Sequence, residues 1–367
     1  MAVTIQKNIA VETFRRLFYL VPKTPSYVQF EITNDCNLSC KMCPREVLNV
    51  KFISMPLENY KKYIDKLIPL GVDQISLTGW GEPLVHPNLL ECLEYSKSKN
   101  LVTKFTTNGV LIRKDMVQKI IDTGVDEITF SIDSINIDPN SEWGHLNKVA
   151  LKRVEDFIRL RKENKKNQGY PKIIIQTMLQ KGRAEDIFEV ITWAGKTGCD
   201  VVNIGRLNLS FDPKMERPSL EEENFILDRA EALGKQYNIQ IDCIQGGMFS
   251  GFARFAYKKL KKYLHRGGKT CLKTYDYCYV NVHGKVTPCC LLPNTEMGDL
   301  NTEQLEDIWN NEKFKSFRQH ETAFCGSCDV MRVDMLEQRK ENQNAGKAVE
   351  AGKQAGKLYS ITSRPNI

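Results

Sequence analysis

The chain has 367 residues, 41% of them hydrophobic and 26% charged, enough for one large globular domain and a smaller one. A formal net charge of +7 is modest for this length, and no basic tract interleaved with aromatics marks a nucleic-acid surface. No apolar run reaches the ~18–20 residues that span a bilayer, so a membrane span is excluded and a cytoplasmic location is the expectation.

Residues 1–26 hold an apolar patch at 18–22 without the charged, apolar and small-residue order of a signal peptide, and read as an amphipathic lead-in helix. From 27 to 243, apolar β-type runs alternate with amphipathic helical patterns. Strands are expected at 28–33, 74–78, 103–107, 127–132, 173–178 and 201–206. Helices are expected at 57–70, 87–98, 114–123, 148–165, 185–197 and 220–236, before a short apolar run at 239–243. Six β/α units in succession predict an α/β fold with a parallel sheet and right-handed crossovers, either doubly wound or a barrel. Residues 244–270 read as a basic helical linker, 271–336 as a small cysteine-rich domain and 337–367 as a polar tail.

Several strands end in small or polar residues where a loop begins: "TNDC", "TGWGEP", "TTNG" and "SIDS". In parallel α/β architectures, sites are built at the carboxyl ends of strands. The twelve cysteines cluster tightly, which in a reducing compartment favours metal or iron–sulfur ligation over disulfides. Cys36, Cys40 and Cys43 have the spacing C-x₃-C-x₂-C in the loop after the first strand. Zinc modules usually close four ligands with two C-x₂-C knuckles; three thiolates on a four-iron cube leave one iron open for a ligand.

This constellation resembles the signature of the radical S-adenosylmethionine superfamily, which carries that spacing after the first strand of a partial (β/α)6 barrel. The Asn-Leu after Cys36 and Pro44 after Cys43 add to the likeness. "TGWGEP" resembles the family's glycine-glycine-glutamate motif, which meets the amino group of S-adenosylmethionine. Gly81 and Glu82 carry over, whereas Trp80 stands where many members have the first glycine. The resemblance further implies that Asn108, Ser131 and Asp133, at later strand ends, contact the nucleoside; each also suits a strand-to-helix cap. Gln176 and Arg206 are placed on later strands to reach the barrel interior, Arg206 as a carboxylate partner. The implied chemistry is transfer of one electron from a [4Fe–4S] cluster to bound S-adenosylmethionine, giving a 5′-deoxyadenosyl radical that takes hydrogen from a substrate. An electron donor such as flavodoxin or ferredoxin is implied with it.

Cys271, Cys289, Cys325 and Cys328, with the intervening "GDLNTEQLEDIWNNEKFKSFR", resemble the auxiliary-cluster extensions called SPASM and twitch. No cysteine follows the final C-x₂-C, so one auxiliary [4Fe–4S] cluster is the expectation. Cys278 is an alternative to Cys271, and Cys290 sits beside Cys289; adjacent thiols on a β-type run point to opposite faces. Spacing alone does not separate this set from a zinc ribbon, which would suit a non-enzymatic interaction protein. Cys92, Cys199 and Cys243 read as inert core residues. The auxiliary set resembles the twitch enzyme of butirosin biosynthesis, and with the glycine-motif variant it points to oxidation of a small molecule. The alternative is a maturase of a ribosomally made peptide.

Overall fold

The computed structural model of the protein describes residues 21–43, 45, 51–141, 144–164, 169–207, 216–243 and 275–320. The basic linker, the polar tail, most of the lead-in segment, and Cys271, Cys325 and Cys328 lie outside them.

Parallel strands alternate with helices along the chain: β1 (Tyr27–Phe30), α1 (Leu57–Leu67), β2 (Gln74–Leu77), α2 (Leu89–Ser98), β3 (Val102–Thr107), α3 (Lys114–Asp122), β4 (Glu127–Ser131) and α4 (Gly144–Glu163). Then come β5 (Lys172–Leu179), α5 (Ala184–Thr197), β6 (Val201–Arg206), α6 (Leu220–Tyr237) and β7 (Gln240–Cys243). The short run after α6 is therefore a seventh parallel strand, paired with β6. The helix expected at 57–70 ends at Leu67, and a 3₁₀ turn over Ile68–Leu70 carries Pro69 in its first positions.

β1, β3, β4 and β5 alternate a buried residue with a half-exposed one, most regularly in β5. Phe30, Ile75, Phe105, Ile128, Ile173 and Val202 face the helices and are fully buried with Tyr60, Ile64, Val117 and Phe157. Each such side chain contributes about 1.5–3 kcal/mol by leaving water. The opposite parity puts Gln29, Lys104, Thr106, Thr129, Gln176 and Asn203 on the inner face, half-exposed. That face is polar: the Asn203 side-chain amide donates to Gln176 Oε1 at 2.7 Å, and Lys104 lies over the Tyr27 ring.

The C-terminal part does not stand apart from this sheet. β8 (Tyr277–Val280) pairs in parallel with the free side of β1, and β9 (Lys285–Thr287) and β10 (Gly298–Asp299) follow as antiparallel strands. The order across the sheet is β10-β9-β8-β1-β2-β3-β4-β5-β6-β7. Two short helices follow, α7 (Leu305–Asn310) and α8 (Glu312–Gln319). They break at Asn311, whose side chain caps α8 by accepting from the Phe314 amide. Residues 21–26, expected to belong to the lead-in helix, are irregular. Pro22 and Lys23 accept hydrogen bonds there from Trp309 and Asn310 of α7.

α1 clamps the C-terminal strands to the barrel. The Tyr63 hydroxyl meets the Asn301 side chain at 2.6 Å, and Lys66 Nζ donates to the Leu300 and Glu303 carbonyls. Gly284 turns the chain between β8 and β9 at φ +80°, and a Cβ there would stand 2.3 Å from the Tyr63 hydroxyl. Gly284→Ala is expected to cost about 2 kcal/mol or more, from the left-handed backbone and the collision together. An unchanged urea-unfolding midpoint would contradict this packing.

Candidate active site at the carboxyl edge of the sheet

The segment from Asn34 to Cys43 follows β1 directly, so β1 delivers it to the edge where β2, β3 and β4 also end. Its backbone is held by short-range chemistry. The Asn34 side chain accepts from the Ile53 amide and donates to the Lys51 carbonyl, and Asp35 Oδ1 accepts from the Cys36 amide at 2.8 Å. The Leu38 amide points at Cys36 Sγ (3.4 Å), and the Cys43 amide closes a turn onto the Cys40 carbonyl. Arg45, two residues past Cys43 and buried, donates to the Leu38 carbonyl at 2.6 Å and lies over the Phe52 ring.

The loop after β2 packs against this segment. A Cβ on Gly81 would lie 2.4 Å from the Thr33 carbonyl oxygen and 2.5 Å from that of Asp35, so only glycine permits the approach. The next amide, of Glu82, donates to the Asp35 carbonyl. The buried Glu82 carboxylate accepts from the Leu84 amide and the Thr107 hydroxyl on Oε1, and from the Asn108 amide on Oε2. It therefore ties the β2 loop to the end of β3. The Asn108 side chain in turn donates to Asn37 Oδ1, inside the cysteine loop. Burial raises the Glu82 pKa, opposed by those three donors.

The thiols sense one another. Burial and then the charges of Cys43, Cys36 and Asp133 push Cys40 up to about 11, while Arg45 pulls the other way. Cys36 is raised by burial, with Leu38 and Arg45 opposing and Glu82 and Cys43 adding to the rise. Among the described residues, no three His, Cys, Asp or Glu side chains form a cage for a single metal ion. The donor chemistry is nonetheless specific: three half-exposed thiols on one loop repel each other as thiolates. A cationic iron centre relieves that repulsion, so the set fits an iron–sulfur cluster.

The structure brings Cys36, Cys40, Cys43, Gly81, Glu82, Asn108 and Asp133 to this edge. Ser131, the last residue of β4, is exposed on the same side. Asp133 Oδ1 accepts from the Met178 amide at the end of β5. Arg206 is not with them. It has the outward parity of Val202 and Ile204, and its guanidinium grips Glu223 of α6 at 2.6 Å with both groups buried. The carboxylate it meets belongs to this chain. Gln176 has the inward parity and pairs with Asn203.

Of the auxiliary cysteines, Cys289 and Cys290 are described, and they occupy a turn after β9 rather than an extended run. The Leu291 amide points at Cys289 Sγ at 3.4 Å, repeating the two-residue geometry at Cys36. Cys278 lies on the outer face of β8, fully buried, in register with Val28, and burial holds its thiol at about 12. Cys92 and Cys199 are likewise buried in the core, whereas Cys243 on the edge strand β7 is half-buried. Sequence reading missed Glu31 and Arg45, and used Asn37 only as part of the cysteine signature. Arg45 had a signal in its place beside Pro44; Glu31 had one in its inward parity at the end of β1.

These features coincide with two family matches. A model described as the radical SAM superfamily matches residues 30–209, and SPASM, described as an iron–sulfur cluster-binding domain, matches 271–329. The chain is 25% identical over 321 residues to the AdoMet-dependent heme synthase of Methanosarcina barkeri, covering 84% of this chain and 90% of that one. It is 23% identical over 313 residues to the PqqA peptide cyclase of Granulibacter bethesdensis, covering 83% and 79%. The crystal structure of Streptococcus suis SuiB bound to precursor peptide SuiA shares the fold, with a TM-score of 0.66 at 16% identity over 89% of this chain and 74% of that chain. No helix among the described residues is long and apolar enough to cross a membrane.

Asp133 offers a pH test. Burial lifts its carboxyl to about 6, against the Met178 amide and Arg183, which favour the charged form. A raised carboxyl favours the fold most below its unfolded pKa, near 4, and that contribution is lost as pH rises through about 6. Asp133→Asn is therefore expected to raise the melting temperature of the metal-free protein by about 2 °C near pH 8 and leave it unchanged near pH 4. An equal effect at both pH values would contradict the assignment.

Proposed function

The chain belongs to the radical SAM superfamily and carries a C-terminal SPASM domain, and from that premise we propose that it modifies a ribosomally made peptide. The family brings a [4Fe–4S] cluster, S-adenosylmethionine and auxiliary iron–sulfur chemistry. When bound, these supply the electron and the 5′-deoxyadenosyl radical that takes hydrogen from a C–H bond.

The chain's own residues position that chemistry. Cys36, Cys40 and Cys43 would hold the cluster, and Arg45 braces their loop through the Leu38 carbonyl. Glu82 fixes the β2 loop, and its Oε2, which accepts from the Asn108 amide, would also take the ammonium of S-adenosylmethionine. Asn108, Ser131 and Asp133 would meet the nucleoside along the ends of β3 and β4. Cys271, Cys289, Cys325 and Cys328 would hold the auxiliary cluster. Burial of Cys278 in the core argues against its serving that set, and Cys289, whose sulfur receives an amide, is preferred to its neighbour Cys290 from the family spacing. An electron donor of the flavodoxin or ferredoxin type would reduce the first cluster.

The observation that carries the substrate class is the likeness to PqqA peptide cyclase along most of both chains. It moves the reading from the small molecule favoured by the sequence toward a peptide. Small-molecule oxidation stays as the second reading because the heme synthase relative spans still more of its own length.

Three measurements test this. Anaerobically purified protein should hold about eight irons per chain, two cubes of four. Reduced protein with S-adenosylmethionine should release 5′-deoxyadenosine, and Cys40→Ala should bring release to background. A side-chain-deuterated peptide encoded near the gene should pass deuterium into 5′-deoxyadenosine. Zinc in place of iron sinks the enzymatic reading, and deuterium arriving only from a small alcohol or carboxylic acid favours the second one.

A further inference from the structure

Trp80 stands in the S-adenosylmethionine loop where the family motif has glycine, and it is bound at both ends. Its backbone amide donates to Glu31 Oε1 at 3.1 Å, at the end of β1. Its indole Nε1–H donates to the Cys290 carbonyl at 3.2 Å, across 210 residues of sequence. Two residues on, the Glu82 amide bonds the Asp35 carbonyl, next to Cys36. One short loop, Gly79 to Glu82, thus touches the lead into the first cysteine cluster and the turn that carries Cys289 and Cys290.

Glu31 is buried, and Tyr277 and Tyr279 of β8 are buried near enough to the Cys289–Cys290 turn for the thiols to influence both phenols, with Tyr279 also neighbouring Glu31. Tyr277 is tied back to β1 through Gln29 at 2.9 Å. The Cys290 carbonyl belongs to the peptide unit following Cys290, and the next amide, of Leu291, is the one that points at Cys289 Sγ. A shift of the indole therefore moves the peptide group that supplies a hydrogen bond to that sulfur. Hydrogen bonds to ligating sulfur tune cluster potential.

We propose that Trp80 is a positioning residue that couples S-adenosylmethionine binding to the reduction potential of the auxiliary cluster. The inference rests on Cys289 serving that cluster and is independent of whether the substrate is a peptide or a small molecule. Linkage makes the effect reciprocal: if S-adenosylmethionine shifts the potential, reduction of the cluster changes its affinity by the same factor.

The test is an EPR-monitored redox titration of the full chain with both clusters, with and without saturating S-adenosylhomocysteine, which occupies the site without being cleaved. In the wild type the auxiliary signal should shift by an amount equal to about a fivefold change in affinity, about 40 mV for a one-electron couple. Trp80→Phe keeps the ring and removes the N–H, and Trp80→Gly restores the family residue; both should bind the nucleoside yet lose most of the shift. A full shift in Trp80→Phe overturns the proposal. So does an absent shift in the wild type, which needs no variant to fold. Cys289→Ala should abolish the auxiliary signal; if the signal persists, the ligand assignment fails and the proposal with it, a result distinct from a signal that is present and indifferent to ligand.

Discussion

The structure depends on β1 being paired in parallel on both sides. Four residues, Tyr27 to Phe30, take β2 along one edge and β8 along the other, in register Val28 with Ile75 and with Cys278. The first cysteine loop leaves the end of this strand, so its starting point is fixed by two neighbours rather than one. A parallel strand exposed at an edge is easily displaced, whereas one held on both sides has its backbone polar groups satisfied. The double pairing also explains why the Cys289–Cys290 turn lies so near the first cysteine loop. β8 and β9 are a continuation of the barrel sheet, and the turn after β9 comes back beside the β2 loop.

Polar side chains then hold the loops against each other. Glu82 gathers the β2 loop and the end of β3, Asn108 reaches Asn37, and Arg45 fastens Leu38 from behind. Their charges bear on the thiols in opposite senses: Glu82 and Asp133 disfavour thiolate, and Arg45 favours it. Such a site is costly for three bare thiolates and favourable for three thiolates sharing a cationic centre.

Much of this was legible in the sequence because the signals were local. Alternation of apolar residues marked the strands of the barrel, and the three-thiol spacing and the Gly81-Glu82 pair sat at strand ends, where parallel sheets build sites. Arg206 was misplaced because position along a strand was read without parity; its neighbours Val202 and Ile204 show that it faces α6 and Glu223. Cys278 is similar: its spacing suits a ligand, but its parity sends it into the core with Val28. The pairing of β8 with β1 and the contact of Trp80 with Cys290 span over two hundred residues, and no local pattern encodes either.

That separation has a consequence for biosynthesis. Ser26 at the entrance to β1 and Asp276 at the entrance to β8 are hydrogen-bonded partners 250 residues apart. At about 5–20 residues per second, a ribosome needs on the order of 10–50 s to deliver the second after the first. Throughout that interval the barrel strands can pair among themselves while the outer edge of β1 stays open, an unpaired parallel edge that invites association with another nascent chain. The C-terminal strands therefore act as an edge cover as well as a carrier of cysteines, and a chain truncated before β8 would emerge with that edge permanently exposed.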